Sequence, residues 1–232
     1  MTLRTANKIV TVNKLHKNIK YQIKSTGPIA VNDFMRQCSI NAHHGYYTNL
    51  KELGTCGDFT TAPEVSPIFS QILALWAVNE WICLGKPKNI SLVELGPGSG
   101  QMMNDVLKNV LSINMIENSE NLEKVQRKKL MLLQNINGAF KVNWHKSIET
   151  IPKSPTIFIA NEFFDALPIH QFYKKASGWH EIFIDYDDDF DNFSIKLNPN
   201  VTPALSIYKN SAYQPVCRQL SPDVSSNFLK FV

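Results

Sequence analysis

The sequence predicts an α/β protein built on a parallel β-sheet, and two observations carry this prediction. Between residues 89 and 160, short apolar segments of strand length alternate with longer segments whose apolar residues recur at helical spacing. The first apolar segment also runs directly into a glycine-rich turn, LVELGPGSGQ at residues 92–101. Together they are typical of a doubly wound fold, in which helices cover both faces of a parallel sheet.

Four strands and two helices are expected within this core. The strands are predicted at residues 89–95, 113–117, 139–144 and 156–160, and the helices at residues 101–111 and 122–133. The first strand, NISLVEL, is expected to be buried, and the last, TIFIA, is apolar throughout.

After the core, the pattern changes to the alternation of an antiparallel sheet. QFYKK and WHEIFIDY flank a Ser-Gly turn, which predicts a hairpin, and FSIKL at 193–197 is expected to add a third strand. The acidic run DYDDDFD at 185–191 misses the calcium-loop spacing, so we interpret it as a solvated hairpin loop. The final NFLKFV is expected to lie in a helix leading to a fifth strand, which would leave the parallel sheet truncated.

Before the core, the chain carries a basic leader, two helices and a long loop. Six Lys or Arg and no acid precede Asp33, which favours a solvated, partly helical leader, with a presequence or a nucleic-acid arm as alternatives. Helices are predicted at 27–40 and from the N-cap Ser66 to Gly85, separated by an aromatic, glycine-rich loop. Trp76 and Trp81 of the second helix are expected in the core.

We therefore divide the chain into four segments. These are a basic leader (1–24), an N-terminal helical and loop cap (25–88), a Rossmann-like core (89–168), and a β-hairpin insertion with a truncated C-terminal segment (169–232).

Composition excludes several classes of function. No apolar run reaches the ~18 residues that cross a bilayer. The net charge of +4 is too weak to favour nucleic acid as a partner. The four cysteines are scattered, without CxxC or metal-ligand spacing, which indicates reduced thiols in a cytosol-like compartment and no metal site.

The glycine-rich turn predicts the ligand. Gly96, Gly98 and Gly100 form G-x-G-x-G and do not meet the NAD pattern G-x-G-x-x-G. Glu94, two residues earlier, would repel a phosphate but would attract a cationic ligand. Glu117 follows the second strand, where an acid commonly binds a ribose diol. S-adenosylmethionine has the ribose and the positive charge and lacks phosphate, which predicts a class I methyltransferase-like site. In the alternative interpretation, both glutamates end strands at the surface.

Longer motifs resemble one family. GPIAVNDFMRQCSINAHHGYYTN, GDFTTAPEVSPIFSQILALW, VELGPGSGQMMNDVL and IANEFFDALPIHQF occur in this order within residues 27–172. They resemble the N-terminal portion of the MidA-like family, which includes a mitochondrial arginine methyltransferase that assists complex I assembly. The resemblance implies a Rossmann-like methyltransferase fold, S-adenosylmethionine as cofactor and protein arginine as acceptor.

The resemblance also implies roles for individual residues. Glu94 and the three glycines would hold the methionine end of the cofactor, and Glu117 the ribose. Adenine would lie near Trp144 and His145, after the third strand. A GDF-T stretch would close over the cofactor and its methyl group, and it consists of Gly57, Asp58, Phe59 and Thr60. Asn161, Glu162 and Asp165 would position the acceptor nitrogen, with the two carboxylates gripping a guanidinium. Alternatively, Asn161 and Asp165 cap a turn.

The expected function is therefore methyl transfer to arginine of a protein, such as a subunit of respiratory complex I. Two alternatives stay open: a non-catalytic assembly factor that binds a partner protein, and a small-molecule methyltransferase. The expected location is a bacterial cytoplasm, with the mitochondrial matrix as alternative.

Overall fold

The computed structural model describes residues 2–49, 60–106, 112–137, 141–210 and 228–231. The chain divides into two compact units, one formed by Met1–Tyr46 with Ala166–Val232, and the other by Tyr47–Asp165. Along the chain the elements are α1 (Thr2–Thr26), β1 (Ile29–Ala30), α2 (Val31–Ile40), α3 (Tyr46–Asn49), α4 (Ala62–Val65), α5 (Pro67–Cys83), β2 (Ser91–Leu95), α6 (Gln101–Val106), β3 (Ser112–Ile116), α7 (Glu120–Asn137), β4 (Lys141–His145), β5 (Thr156–Ile159), β6 (His170–Lys175), β7 (Gly178–Asp187), β8 (Asn192–Leu197), α8 (Pro203–Asn210) and β9 (Phe228–Phe231). Short 3-10 turns lie at Ile148–Thr150 and Phe164–Ala166.

The unit Tyr47–Asp165 is built on the predicted parallel sheet, with strand order β4-β3-β2-β5. Glu94 of β2 lies opposite Met115 of β3 and Ile159 of β5, and Met115 lies opposite Trp144 of β4. The chain leaves β2 toward β3 on one side and returns to β5 on the other. The carboxyl end of β2 is therefore the switch point at which such sheets form a ligand crevice.

The core of this unit lies between the sheet and α5, α6 and α7. Its buried residues are apolar side chains from the strands and from the last two of these helices: Leu92, Met102, Met103, Val106, Ile113, Met115, Leu130, Val142 and Ile159. Phe69, Leu73 and Ala74 of α5 pack against the same cluster. All four predicted core strands are confirmed, and residues 107–111, predicted to extend α6, lie outside the described residues.

Helix α5 begins as predicted, since the Ser66 hydroxyl accepts the amide of Ile68 and Pro67 occupies the first turn. The expectation that Trp76 lies in the core is wrong. Trp76 is 44% exposed, and Ile72 and Leu75 on the same side are 60% and 71% exposed. This helix is apolar almost all round, so its sequence did not specify which side packs against the sheet.

The other unit contains an antiparallel sheet of order β1-β7-β6-β9, with β8 also paired to β7. The predicted hairpin is confirmed, with Lys175 opposite Gly178. Of the acidic run, residues 185–187 end β7, and residues 188–191 form the loop that joins β7 to β8. Residues 228–231 were expected in a helix, but they pair antiparallel with β6 as β9. Pairing satisfies backbone groups along an edge of β6, which a helix would leave open.

The basic leader is part of this unit. The leader was expected to be a solvated, partly helical segment, yet α1 buries Ile19 and Ile23 against Ile29 and Tyr186. Lys20 and Lys24, on the exposed side, pair with Asp191 and Asp188 of the acidic loop. The division into four segments stays a prediction.

Candidate functional site

The glycine loop, residues 96–100, follows β2 and requires its glycines. Gly96, Gly98 and Gly100 have φ angles of 63°, 56° and 75°, in the left-handed region that side-chain-bearing residues rarely adopt. A Cβ on Gly96 would lie 2.6 Å from Cδ2 of Phe163, and one on Gly100 would lie 3.2 Å from Cγ of Gln126. The backbone therefore approaches two other segments closely, and α6 begins at once, with the Asn104 amide bonded to the Gly100 carbonyl.

Glu94 lies in β2 directly before this loop and is only 2% exposed. Among the described residues, none donates a hydrogen bond to its Oε2 atom. Burial, with a smaller contribution from the charge of Glu117, raises the pKa of Glu94 to about 8. A buried carboxylate oxygen without a donor is the group that a cationic ligand would satisfy.

Glu117 follows β3 and is also buried. Its Oε1 atom accepts the Ser119 amide at 2.8 Å, and its Oε2 atom accepts Nε2 of Gln126 at 3.0 Å. Burial raises the pKa of Glu117, opposed by these donors and by the charge of Lys146. The interpretation of Glu94 and Glu117 as surface strand ends is therefore wrong.

Gln126 of α7 joins the parts of this site. It is fully buried, and its Nε2 atom donates to the Gly98 carbonyl at 2.8 Å as well as to Glu117. Its Oε1 atom accepts the indole Nε1–H of Trp144 at 2.9 Å. We call Glu94, the glycine loop, Glu117, Gln126 and Trp144 the glycine-loop site.

Trp144 and His145 have different surroundings, because successive residues of a strand point to opposite faces. Trp144 contacts Gln126, and the Arg127 guanidinium lies 4.0 Å from its ring centroid. The His145 ring bonds Asn114 at 3.0 Å and Thr150 at 2.8 Å. The structure therefore joins Trp144 to the glycine-loop site and His145 to a separate polar network, and the cofactor role of His145 stays a prediction.

The NEFFD turn, residues 161–165, follows β5. Phe163 packs its ring against Gly96, whereas Glu162 and Asp165 are exposed. Glu162 has a φ of 50°, a conformation that is uncommon outside glycine and that clusters at functional sites. Neither Asn161 nor Asp165 makes a side-chain hydrogen bond to another described residue, which argues against the turn-cap interpretation.

Two further side chains, Tyr47 and Glu64, lie near the NEFFD turn and the glycine loop, respectively. Tyr47 of α3 has its pKa raised by burial and by the charges of Asp165 and Glu162, which places its ring near the NEFFD turn. Glu64 of α4 hydrogen-bonds the Ser99 hydroxyl in the glycine loop. Gly57, Asp58 and Phe59 lie outside the described residues, and Thr60 is exposed, so the GDF-T prediction stays open.

Within the described ranges, no cluster of His, Cys, Asp or Glu has the arrangement of a metal site. The same part of the chain holds no helix long and apolar enough to cross a membrane.

The chain is similar to known proteins. Residues 72–221 match the family described as "Putative S-adenosyl-L-methionine-dependent methyltransferase". The chain belongs to this methyltransferase family. The predicted family resemblance, α/β methyltransferase fold and cofactor class are confirmed.

Relatives in the family carry a more specific name. The mitochondrial protein arginine methyltransferase NDUFAF7 of Bos taurus is 36% identical over 86% of this chain and 52% of its own length. The protein of the same name from Homo sapiens is 36% identical over 83% of this chain and 50% of its own length. The chain thus spans about half the length of the curated relatives that it matches.

A solved structure has the same fold. A Burkholderia thailandensis protein, crystallised with S-adenosyl-homocysteine bound, superposes with a TM-score of 0.71 at 24% identity. The match covers 85% of this chain and 53% of that chain.

Sequence reasoning missed three residues of the site. Gln126 carried a detectable signal, because it lies four residues after Leu122 and four before Leu130, on the buried side of α7. A polar side chain at such a position needs buried partners. Glu64 and Tyr47 belong to segments that the resemblance had marked, but no local pattern singled them out.

Proposed function

We propose that this chain binds S-adenosylmethionine at the glycine-loop site and takes part in methyl transfer to an arginine of a protein. The observation that carries the proposal is the pair of buried carboxylates, Glu94 and Glu117, on either side of a loop without side chains at Gly96, Gly98 and Gly100. Membership of the methyltransferase family and the activity named for the mitochondrial relatives support it.

The residues of the site fit the chemistry of this cofactor. The Oε2 atom of Glu94, which has no donor among the residues that the structure describes, suits the positive charge of the methionine end. The glycine loop allows the ligand to approach the backbone closely, since Cβ atoms are absent there. Glu117, oriented by Ser119 and Gln126, suits the ribose hydroxyls.

The NEFFD turn supplies the groups that would act on the acceptor. When bound, S-adenosylmethionine supplies an electrophilic methyl group. Glu162 and Asp165 would hold the guanidinium by charge-assisted hydrogen bonds, so that the accepting nitrogen lies in line with the methyl carbon. The nitrogen loses a proton as it gains the methyl group, and these exposed carboxylates can accept that proton or pass it to water.

The partner and location follow the named relatives. A protein substrate and a mitochondrial location are supported by the relatives' names. A respiratory complex I subunit as the specific partner rests on the resemblance of the sequence motifs. The names of the curated NDUFAF7 relatives do not support a bacterial cytoplasm.

Calorimetric titration with S-adenosylhomocysteine tests the proposal, with NAD as the control ligand. We expect binding of S-adenosylhomocysteine only, weakened by about tenfold or more in Glu117→Ala, because hydrogen bonds to a charged group are lost. The matched variant is Glu120→Ala, an exposed glutamate at the start of α7, which should leave affinity unchanged. Equal loss in both variants, or no binding by the folded wild-type chain, would contradict the proposal.

Transfer is tested separately, by following radiolabelled methyl incorporation into arginine-containing peptides. Binding of S-adenosylhomocysteine without transfer to any arginine would favour the non-catalytic assembly factor.

A further inference from the structure

The side-chain amide of Gln126 has a fixed orientation. The indole Nε1–H of Trp144 can only donate and the Gly98 carbonyl can only accept, so Oε1 must face Trp144 and Nε2 must face Gly98. The second hydrogen of Nε2 then points to Oε2 of Glu117. All polar atoms of this buried side chain therefore have partners, and the alternative amide orientation would break all three bonds.

These partners come from three separate parts of the glycine-loop site. Gly98 belongs to the loop after β2, Glu117 follows β3 and Trp144 lies in β4. Gln126 also touches the loop through its aliphatic part, because its Cγ atom would lie 3.2 Å from a Cβ at Gly100. One residue of α7 thus holds the glycine loop, the carboxylate and the indole in a single arrangement.

We propose that Gln126 is the positioning residue of the cofactor site, which orients the Glu117 carboxylate toward the vicinal hydroxyls of a ribose and links it to the glycine loop. The inference rests on the proposed function, since it assumes that Glu117 binds the ribose. Ser119 fixes Oε1 from the backbone of the same segment, and Gln126 fixes Oε2 from α7. The direction of the carboxylate is therefore set by two elements at once, and loss of the Gln126 donor frees it to rotate.

A ligand lacking the hydroxyls separates positioning from general packing. The experiment measures the dissociation constants of S-adenosylhomocysteine and of its 2′,3′-dideoxy analogue, and takes their ratio as the diol preference. The wild-type chain should prefer the diol by about tenfold or more, and Glu117→Ala should bring the ratio near one. Gln126→Met, which keeps length and helix propensity but removes all three hydrogen bonds, should lower the ratio most of the way toward that of Glu117→Ala.

The matched control is Leu130→Ala, one turn further along the same buried side of α7. It should lower stability but keep the wild-type diol preference, because Leu130 belongs to the apolar core cluster and its side chain cannot donate or accept a hydrogen bond. Should Gln126→Met fail to fold, Gln126→Glu is the second variant. It keeps the shape of the side chain but places a carboxylate oxygen where Nε2 donates to Glu117, so it should lose the diol preference in the same way.

A cycle of Glu117→Ala, Gln126→Met and the double variant completes the test. The double variant should show the same diol preference, near one, as Glu117→Ala alone, because both changes act on that preference through one carboxylate. The assignment of Gln126 would be overturned, and the ribose site left standing, by a Gln126 variant that keeps the wild-type ratio. Losses of diol preference that are fully additive in the double variant would have the same meaning. A wild-type chain that shows no diol preference, or does not bind the ligand, would overturn the proposed ribose site together with the assignment of Gln126.

Discussion

The glycine-loop site and the NEFFD turn lie in the same unit but are built in opposite ways. In the glycine-loop site, Glu117, Gln126 and Trp144 satisfy each other's polar atoms away from water. In the NEFFD turn, Glu162 and Asp165 are exposed and make no side-chain hydrogen bonds to other described residues. One carboxylate oxygen in the buried site, Oε2 of Glu94, also has no donor within the described part of the chain.

The difference indicates how the two sites would use binding energy. A buried, fully bonded network holds its geometry before any ligand arrives, so a ligand pays little to order it. Exposed carboxylates become ordered only when an acceptor binds them. We therefore expect cofactor affinity to be sensitive to small changes in the first site and insensitive to changes in the second.

The largest expected effect on cofactor affinity is that of Gly96→Ala. Its φ of 63° costs an alanine roughly 1–2 kcal/mol, and the new methyl group would meet Phe163 at 2.6 Å. Gly85→Ala is the matched control, because Gly85 has a φ of 83° but no atom of another described residue lies within 4 Å of the added Cβ. Denaturant unfolding should show a lower free energy of unfolding in both variants, with the larger decrease in Gly96→Ala.

Titration with S-adenosylhomocysteine should show a loss of about 100-fold in affinity for Gly96→Ala only, since the loop must move to relieve the contact. Adding Phe163→Ala to that variant should recover part of the affinity. Equal affinities for the two alanine variants would show that Phe163 does not fix the loop.

The second prediction concerns the stability of the ligand-free chain with pH. The pKa of Glu94 is raised to about 8 in the folded state. Between the ordinary pKa of a glutamate and pH 8, the Glu94 carboxyl is therefore protonated in the folded state and ionised in the unfolded state. The stabilising contribution is present at low pH and is lost as the pH rises through that window. Glu94→Gln removes the titration, so the free energy of unfolding of this variant should rise relative to that of the wild type by about 4 kcal/mol between pH 4 and pH 8.

Urea unfolding at a series of pH values measures this difference. Glu120→Gln, at an exposed position, is the control and should track the wild type. Parallel pH profiles of wild type and Glu94→Gln would mean that Glu94 is ionised in the ligand-free fold, so that the buried site would hold an unpaired charge.

A smaller effect is expected in the NEFFD turn. Glu162→Gly should stabilise the chain by about 1 kcal/mol, because glycine adopts the observed φ of 50° without strain. Lys86→Gly, at a φ of 57°, should give a similar gain. Thermal unfolding measures both, and methyl transfer to an arginine peptide should fall only in Glu162→Gly.

The affinity of Glu162→Gly for S-adenosylhomocysteine should equal that of the wild type. A loss of cofactor affinity in this variant would break the contrast between the two sites.

The smallest effect is expected for Trp144→Phe. The change removes the indole donor and leaves Oε1 of Gln126 without its partner, which costs about 1 kcal/mol and weakens S-adenosylhomocysteine by roughly fivefold. Trp179→Phe, in the other unit, should leave the affinity unchanged. Calorimetry measures the affinity of both variants for S-adenosylhomocysteine. An unchanged affinity in Trp144→Phe would show that the indole does not contribute to the glycine-loop site.

Much of the fold followed from local pattern. The four parallel strands, the hairpin after residue 170 and the N-cap of α5 were predicted because each depends on residues close in sequence. The strand at 228–231 was not, since its pairing with β6 joins residues about sixty positions apart. The burial of Ile19 and Ile23 was missed for the same reason, because their partners Ile29 and Tyr186 lie in other elements.

The sequence by itself determined the ends of the strands, the glycine loop and the two glutamates beside it. These features are set by alternation, by the left-handed φ that only glycine adopts freely, and by the position of an acid relative to a strand end. Only the tertiary structure decided which side of α5 packs inward and that Gln126 connects the carboxyl ends of three strands. It also decided that Trp144 belongs to the glycine-loop site whereas His145 belongs to a separate polar network. Each of those depends on what a side chain meets across the fold, and such contacts are fixed by packing between segments that no local pattern specifies.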